Sequence, residues 1–196
     1  MSRATRGAPW LLLRTELAEY QQGVHGVEPP ELGAKLDDLP ASLAEFYRRF
    51  GALRLFLDTV EIVPRAELCR DADWWRVGVT LGAQIFVAAD GSVRLEDEEG
   101  ETLGAAAALV PWLLLVMRRE QLVFGKDGEF RDVFDDDAEG ELKVATRKKR
   151  AALGRQLCPE GALYVFEEAL LALDDGDEQG AIELAIEASL LDPLGA

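Results

Sequence analysis

The sequence predicts an α+β fold, in which an antiparallel sheet packs with helices and is followed by a C-terminal α-helical extension. Three observations lead to this class. Apolar residues alternate with polar or small residues in several short runs between residues 53 and 95, as in half-buried strands. Amphipathic helical patterns lie on both sides of these runs. Helical patterns then continue through residues 141–196.

Two helices are predicted before the sheet. The first spans residues 9–20 and begins near Pro9. The second spans residues 39–51, because Ser42 and Glu45 form a capping box and Gly51 ends the pattern. Its apolar stripe consists of Leu43, Phe46, Tyr47 and Phe50. The i, i+3, i+4, i+7 spacing of this stripe predicts that it is buried.

Short strands form the predicted sheet. Their inward-facing residues are Leu53, Leu55, Leu57, Val60, Ile62, Val77, Val79 and Leu81. A turn then leads into a strand at residues 84–89, and Asp90-Gly91 is expected to form a type I′ hairpin turn. Val93 and Leu95 point inward on the returning strand. The economical arrangement of these strands is an antiparallel meander.

After the sheet, residues 105–119 are predicted to form a helix that starts or kinks at Pro111. Its apolar stripe consists of Leu109, Trp112, Leu113 and Val116. Aromatic and turn residues at 121–140 indicate a hairpin or an ordered linker. The acidic run at 135–140 resembles the start of a calcium-binding EF-hand loop. Position 12 of that loop would be Thr146, where a bidentate Glu is required, so no calcium site is expected.

The region after residue 140 is predicted to be helical. Pro159 and Pro193 are 34 residues apart, and the segment between them resembles one tetratricopeptide helix pair with a turn at residues 174–177. This resemblance places small residues at the helix contact, namely Ala169, Ala181 and Ala188. A preceding helix at 141–157 is expected to stack on the pair. Because a single repeat cannot bury its own face, we expect the pair to dock on the first domain; a separate peptide-binding array is the alternative.

A further resemblance covers residues 10–119. An N-terminal helix precedes Leu39-Pro40, and the amphipathic helix that follows closes with the segment from Phe46 to Gly51. Asp90-Gly91 lies in the strand region, and Trp112-Leu113 lies in the late helix. In these features the chain resembles the SUKH superfamily, whose bacterial members are largely immunity proteins against secreted toxins and which includes fungal regulators of cell-wall assembly. The resemblance implies a protein that acts by binding, without a shared catalytic set.

Together the two resemblances imply three regions. A SUKH-like α+β domain spans residues 1–122, a linker or hairpin spans 123–140, and the helical extension with one tetratricopeptide-like hairpin spans 141–196.

The net charge and the lengths of the apolar runs limit the classes of binding partner and the cellular locations that we expect. The chain has 37 acidic and 21 basic residues and a formal net charge of -16. Nucleic acid is therefore a poor partner and a cationic protein a better one. No membrane partner is expected, because the apolar run at 105–117 is shorter than the roughly 20 residues that span a bilayer. Arg14 and Glu16 interrupt the N-terminal apolar run, so no signal peptide is predicted and a cytoplasmic location is expected.

No catalytic residue, cofactor or metal site is predicted, and the protein is not expected to be an enzyme. His25 is the only histidine, which leaves too few ligands for zinc and no motif for a His-based triad. Cys69 with His25 could form a nucleophile and a base, but neither lies in a recognisable motif. Cys69 and Cys158 are instead expected to be reduced and buried. The basic run at 147–150 is expected to offset neighbouring acidic helices rather than bind nucleic acid.

The candidate partner-binding residues are Trp74, Trp75, Asp97, Glu98 and Glu99. Because adjacent strand residues face opposite sides, one tryptophan ring should be core and the other nearer solvent, where it could anchor an interface. The acidic run is either a solvated loop or a surface that docks a basic toxin domain. The leading hypothesis is an immunity-type protein that neutralises a cognate toxin by occluding it. The alternative is a regulatory or scaffold adaptor; the sequence predicts no oligomeric state.

Overall fold

The computed structural model describes residues 3–33, 35–135 and 141–192 and confirms the predicted α+β class. The helices in these ranges are α1 (Arg3–Ala18), α2 (Ala41–Tyr47), α3 (Leu109–Glu120), α4 (Val144–Leu157), α5 (Ala162–Asp174) and α6 (Glu178–Leu191). The strands are β1 (Gly26–Val27), β2 (Leu53–Leu55), β3 (Val60–Ile62), β4 (Cys69–Asp71), β5 (Trp74–Thr80), β6 (Ala83–Ala88), β7 (Val93–Asp97) and β8 (Thr102–Ala106). A short 3-10 helix, Arg65–Glu67, precedes β4.

The strands form one antiparallel sheet in the order β1-β2-β3-β5-β6-β7-β8. Strand β4 pairs with the beginning of β5, whose end pairs with β3. A Cβ atom at Gly78 would lie 1.8 Å from the carbonyl oxygen of Glu61, so the contact with β3 requires glycine. Trp74 and Trp75 follow the β4–β5 turn directly, and they pair with β4 on one side and with β6 on the other.

The apolar stripe predicted around α2 is confirmed, since its four residues are at most 3% exposed. The predicted capping box is not formed. Pro40 occupies the N-cap with an extended ψ of 146°, so Ser42 is already the second residue of the helix. The Ser42 hydroxyl has no hydrogen-bond partner among the described residues. Gly51 lies beyond the helix, where a Cβ would be 2.3 Å from the Pro29 carbonyl oxygen.

Helix α1 begins six residues before the predicted start at Pro9, so that proline lies inside the helix. Proline removes one backbone donor but does not forbid a helix on both sides of it when packing holds the segment. Trp10 and Leu13 supply that packing, because both are buried in the core cluster.

Three residues predicted to face inward are exposed. Leu57 lies outside β2 in a left-handed turn, with φ angles of 48°, 56° and 71° at Phe56, Leu57 and Asp58. The register of β5 shifts between Arg76 and Gly78. An extra residue at such an irregularity reverses the alternation, so Val77 is buried whereas Val79 is exposed. Leu81 lies beyond β5, in the turn to β6, and is exposed there.

The predicted type I′ turn is also wrong. That turn requires positive φ at both central residues, but of the Asp90-Gly91 pair only Gly91, at 97°, has it. Gly91 N–H donates to the Ala88 carbonyl, so Ala89 and Asp90 form the turn and Gly91 follows it in the left-handed region. Val93 is buried and Leu95 packs partly against the core, as predicted.

The predicted helix at 105–119 begins later, at Leu109, because Ala105 and Ala106 belong to β8. This strand is rich in small residues and shows no clear alternation, so its pattern resembles the start of a helix. Pro111 lies in the first turn of α3, which is the start that a proline permits. Trp112 and Leu113 on the predicted stripe are buried.

The chain after α3 is ordered by two isolated bridges, one between Phe124 and Phe130 and one between Phe134 and Leu142. The acidic residues at 136–140, on which the EF-hand comparison rests, lie outside the described residues. Helix α4 then begins at Val144.

The predicted helix pair is present as α5 and α6. Ala169, Ala181 and Ala188, predicted at the helix contact, are buried. A Cβ at Gly154 of α4 would lie 2.4 Å from the ring of Tyr164, so the glycine allows this ring to pack on α4. Pro193, the proline that closes the proposed repeat, lies outside the described residues.

The expectation that the pair docks on the first domain is confirmed. Tyr164 of α5 belongs to the same core cluster as residues of α1, α2 and α3. At the end of α6, Asp192 accepts a hydrogen bond from the Gly104 N–H of β8 at 2.6 Å. None of the helices in the described part of the chain is both long and apolar enough to cross a membrane.

Candidate functional site

Trp74 and Trp75 lie at the start of β5 on opposite sides of the strand, and both are half-buried. Trp75 packs partly against the core, and the Arg70 guanidinium lies 5.7 Å from its ring centroid. The Arg94 guanidinium lies over the Trp74 ring, 4.5 Å from the ring centroid. The expected opposite orientation is therefore correct, but neither ring is fully buried. The reason is that β4, which pairs with this part of β5, is exposed along its whole length.

Trp74 lies where two surface cavities of about 130 and 400 Å³ meet. Both cavities are lined by Trp74 and Arg94. We call this surface the Trp74 groove; its charged lining residues are Asp71, Asp90, Arg94, Glu96, Glu160 and Asp192. Within the described residues, its lining therefore combines five carboxylates with one guanidinium and a large aromatic ring.

Two of these carboxylates already have partners. Asp192, which is 6% exposed, lies 3.4 Å from an Arg94 nitrogen and also accepts from Gly104. Asp90 accepts hydrogen bonds from the backbone N–H and the hydroxyl of Ser92, which lower the pKa of its carboxyl. These contacts fix the far wall of the groove and the position of Arg94.

The other three carboxylates, Asp71, Glu96 and Glu160, make no salt bridge or side-chain hydrogen bond within the described part of the chain. Asp71 and Glu96 line one of the two cavities and Glu160 lines the other, and the half-buried Trp74 lines both. A guanidinium or ammonium group is attracted to carboxylates. The Arg94 guanidinium already lies over the Trp74 ring, so the three carboxylates are what the groove offers to a further cation. The groove is therefore suited to receive a cationic side chain.

The acidic residues predicted from the sequence lie at the turn between β7 and β8. Asp97 accepts hydrogen bonds from the N–H groups of Glu99 and Glu101, at 3.0 and 2.8 Å, and so stabilises this turn. Glu98 and Glu99 are exposed. These three do not line the Trp74 groove, to which the same strand contributes Glu96. Their role in partner binding stays a prediction.

The two residues considered for nucleophilic chemistry are not brought together. Cys69 is exposed, contrary to the prediction, because it lies on the exposed strand β4; its sulfur accepts a long hydrogen bond from Arg76. His25 lies edge-on to Tyr20 and Phe56, and its Nδ1 accepts from the Phe56 N–H at 3.2 Å. Burial lowers the pKa of His25 to about 4.

Cys158 is buried in the core, as predicted, and burial raises the pKa of its thiol to about 12. Both cysteines are free. Across residues 3–33, 35–135 and 141–192, no group of three His, Cys, Asp or Glu residues is arranged to hold a metal ion.

The basic run in α4 has the role predicted for it. Arg147 and Lys148 pair with Asp174 and Asp175 at the C-terminal end of α5, at 2.8 and 2.6 Å. Arg150 pairs with the nearly buried Glu120 of α3 at 2.7 Å. These charges therefore hold α4 against the neighbouring acidic helix ends.

Neither family models, nor curated proteins, nor solved structures yield a match to this chain. The site must therefore be interpreted from its own residues.

Sequence reasoning identified Trp74 but missed the residues around it. Strand alternation could have placed Phe86 and Arg94 on one face with Glu96. Glu160 and Asp192 carry no such signal, because only the docking of the helical hairpin brings them to the sheet.

Proposed function

We propose that this protein is a non-catalytic protein-binding module whose Trp74 groove receives a cationic side chain of its partner. The observation that carries the proposal is the half-buried Trp74 ring among three carboxylates that lack partners within the described residues. Half-buried tryptophans in pockets are common anchors of protein interfaces. A chain with a formal net charge of -16 would also attract a basic partner over a long range at low salt.

In the leading form of this proposal, the protein is an immunity-type protein that occludes a cognate basic toxin domain in the cytoplasm. The acidic groove and the net charge support a basic partner, and the resemblance of residues 10–119 to the SUKH superfamily supports a toxin. Binding over the groove would block the toxin by covering its cationic surface, without a chemical step.

A regulatory or scaffold adaptor is the second candidate. It is favoured by a different observation, the apolar side chains exposed on the α5–α6 hairpin, of which Ile182 and Ile186 are each 55% exposed. Such side chains suit engagement of a host protein by the helical extension.

The experiment is affinity capture from a native lysate with the full-length chain as bait, at about 0.05 M and about 0.5 M salt. One test bait carries Trp74→Ala, and a second carries Asp71→Asn, Glu96→Gln and Glu160→Gln. The matched control bait carries Glu28→Gln, Glu31→Gln and Asp37→Asn, three exposed carboxylates outside the groove. The second test bait and the control therefore lose the same three charges.

We expect the wild-type and control baits to capture the same basic protein at low salt, and both test baits to lose at least nine-tenths of it. Equal capture by the test and control baits would refute the proposed role of the Trp74 groove in partner binding. The captured protein is then expressed alone and together with this chain. Growth arrest that co-expression relieves supports immunity, whereas a harmless partner supports the adaptor.

A further inference from the structure

The outer side of α6 is an apolar surface in the described structure. Ile182, Ile186 and Leu190 are spaced by four residues and are 55%, 55% and 76% exposed. This spacing places them along one stripe of the helix. Ala181 and Ala188, on the opposite side, are buried. The buried residues of α6 are therefore small, and the three large apolar residues of the stripe face solvent.

A groove of about 250 Å³ runs beside this stripe, between α6, α5 and β8. Its floor and walls include Leu103, Phe166, Ala185 and Ser189. Ala185 and Ser189 each directly precede a member of the stripe, Ile186 and Leu190. The stripe and the groove together are called the α6 face below.

Acidic residues border the α6 face on both sides. Glu183 and Glu187 lie beside the stripe by helical position, and Glu101 lines the groove on the opposite side, next to β8. Helix α6 contains no Lys or Arg. Arg155, which approaches from α4, is already paired with Glu168 and Glu187. A partner that covers the apolar surface would therefore meet negative charge at its border.

We infer that the α6 face binds an amphipathic helix of a partner protein, one whose apolar stripe is flanked by Lys or Arg. A helix matches the four-residue spacing of Ile182, Ile186 and Leu190, because apolar side chains recur at the same spacing on its own surface. An added strand fits less well, because Asp192 already takes the N–H of Gly104 on β8. The basic flanks would face Glu101 on one side and Glu183 on the other.

A second copy of this chain is a poorer occupant. Two α6 helices packed together would bring the glutamates of both copies to one border, without a basic residue of α6 to offset them. Each chain also carries a formal net charge of -16. This inference deepens the adaptor candidate, which rests on the same exposed isoleucines, and it is independent of the Trp74 groove and of any role against a toxin.

The test uses the full-length protein and a fluorescent, designed Leu/Lys peptide that forms an amphipathic helix with Lys flanks. Two further probes are a scrambled peptide of the same composition and a Leu/Glu peptide with the same apolar stripe. Fluorescence anisotropy gives the affinity of each peptide, and sedimentation gives the oligomeric state. The test variant is Ile182→Ser with Ile186→Ser. The matched control is Leu32→Ser with Leu81→Ser, two exposed leucines outside the α6 face.

We expect the Leu/Lys helix to bind at least tenfold more tightly than the scrambled and Leu/Glu peptides. The test variant should lose at least tenfold in affinity, and the control variant should lose less than twofold. Equal binding of the scrambled peptide would overturn the inference, because it would show attraction by net charge alone. A wild-type dimer that the test variant converts to a monomer would also overturn it, since a second copy would then cover the face. The Trp74→Ala variant should bind the Leu/Lys peptide normally, which separates this surface from the Trp74 groove.

Discussion

Helices α3 and α6 are both rich in apolar residues, but the fold covers them to different extents. Trp112, Leu113 and Leu115 of α3 are at most 2% exposed, because α1, α2, α4 and β8 surround that helix. Helix α6 packs chiefly on α5, and Ile186 and Leu190 stay exposed. An apolar composition therefore predicts that a helix has an apolar face that must be buried by some neighbour. It does not predict whether the same chain covers that surface, and α6 is where a partner could.

The largest expected effect is the difference in unfolding free energy between a substitution in α3 and one in α6. Trp112→Ala should lower the free energy of unfolding by about 3 to 5 kcal/mol, because it removes a fully packed ring and leaves a cavity. Ile186→Ala should change it by less than about 0.5 kcal/mol, because the side chain is already half in water. Urea unfolding followed by circular dichroism measures both. Similar losses for the two variants would show that α6 is covered in solution.

A smaller effect tests the attachment of α6 to the sheet. Asp192→Ala removes the acceptor of the Gly104 N–H and the partner of Arg94, and we expect a loss of about 2 kcal/mol in unfolding free energy. Asp192→Asn is the matched control, since its amide oxygen can still accept from Gly104. It should lose less. Amide hydrogen exchange should accelerate in α6 of the alanine variant and stay slow in α3; equal acceleration in both helices would mean that they open as one unit.

The parts of the fold that the sequence predicted are those set by local pattern. The α2 stripe and the pairing of the α4 bases with acidic helix ends follow from spacing and charge along the chain. The misses have longer-range causes. Val79 faces outward because of a register shift in β5. The last two residues of β8, Ala105 and Ala106, were assigned to a helix because the small residues of this strand have no clear alternation.

The residues of the candidate site also fall into those that local pattern predicts and those that only long-range contacts bring to the site. Trp74 could be selected because a strand places adjacent tryptophans on opposite sides. Asp192 could not, since it reaches Gly104 across 88 residues of sequence. The exposure of α6 could not be predicted either, because a helical pattern contains no information about which neighbours cover it.

The chain between α1 and β2 also contains a pH-sensitive contact, which is made by His25. Burial lowers the pKa of His25 to about 4, and the neutral ring accepts from Phe56 at the start of the left-handed turn. The unfolded chain takes up this proton below about pH 6.5, whereas the folded chain resists it until about pH 4. Stability should therefore be full above pH 6.5 and fall as the pH drops towards 4. Since the ring is only half-buried, we expect a loss of about 1 to 2 kcal/mol.

The matched variant for this effect is His25→Asn, which keeps a hydrogen-bond acceptor near Phe56 but does not titrate. Urea unfolding of both proteins at pH 7.0 and pH 5.0 tests the prediction, since His25 is the only histidine in the chain. The wild type should lose stability relative to the variant over this interval. Parallel losses would assign the pH dependence to carboxylates instead.

The smallest expected effect concerns the start of α6. Asp177 is its N-cap, and its side chain accepts from the Gly180 N–H at 3.0 Å. Asp177→Ala should cost about 1 kcal/mol of unfolding free energy, whereas Asp177→Asn should cost only a few tenths, because asparagine caps almost as well. The same urea titration measures both variants. A loss in the alanine variant with a retained core signal would mean that α6 frays independently. Because α6 buries only small residues against α5, its order depends on such local contacts more than that of α3 does, and a bound partner helix should reduce the cost of losing the cap.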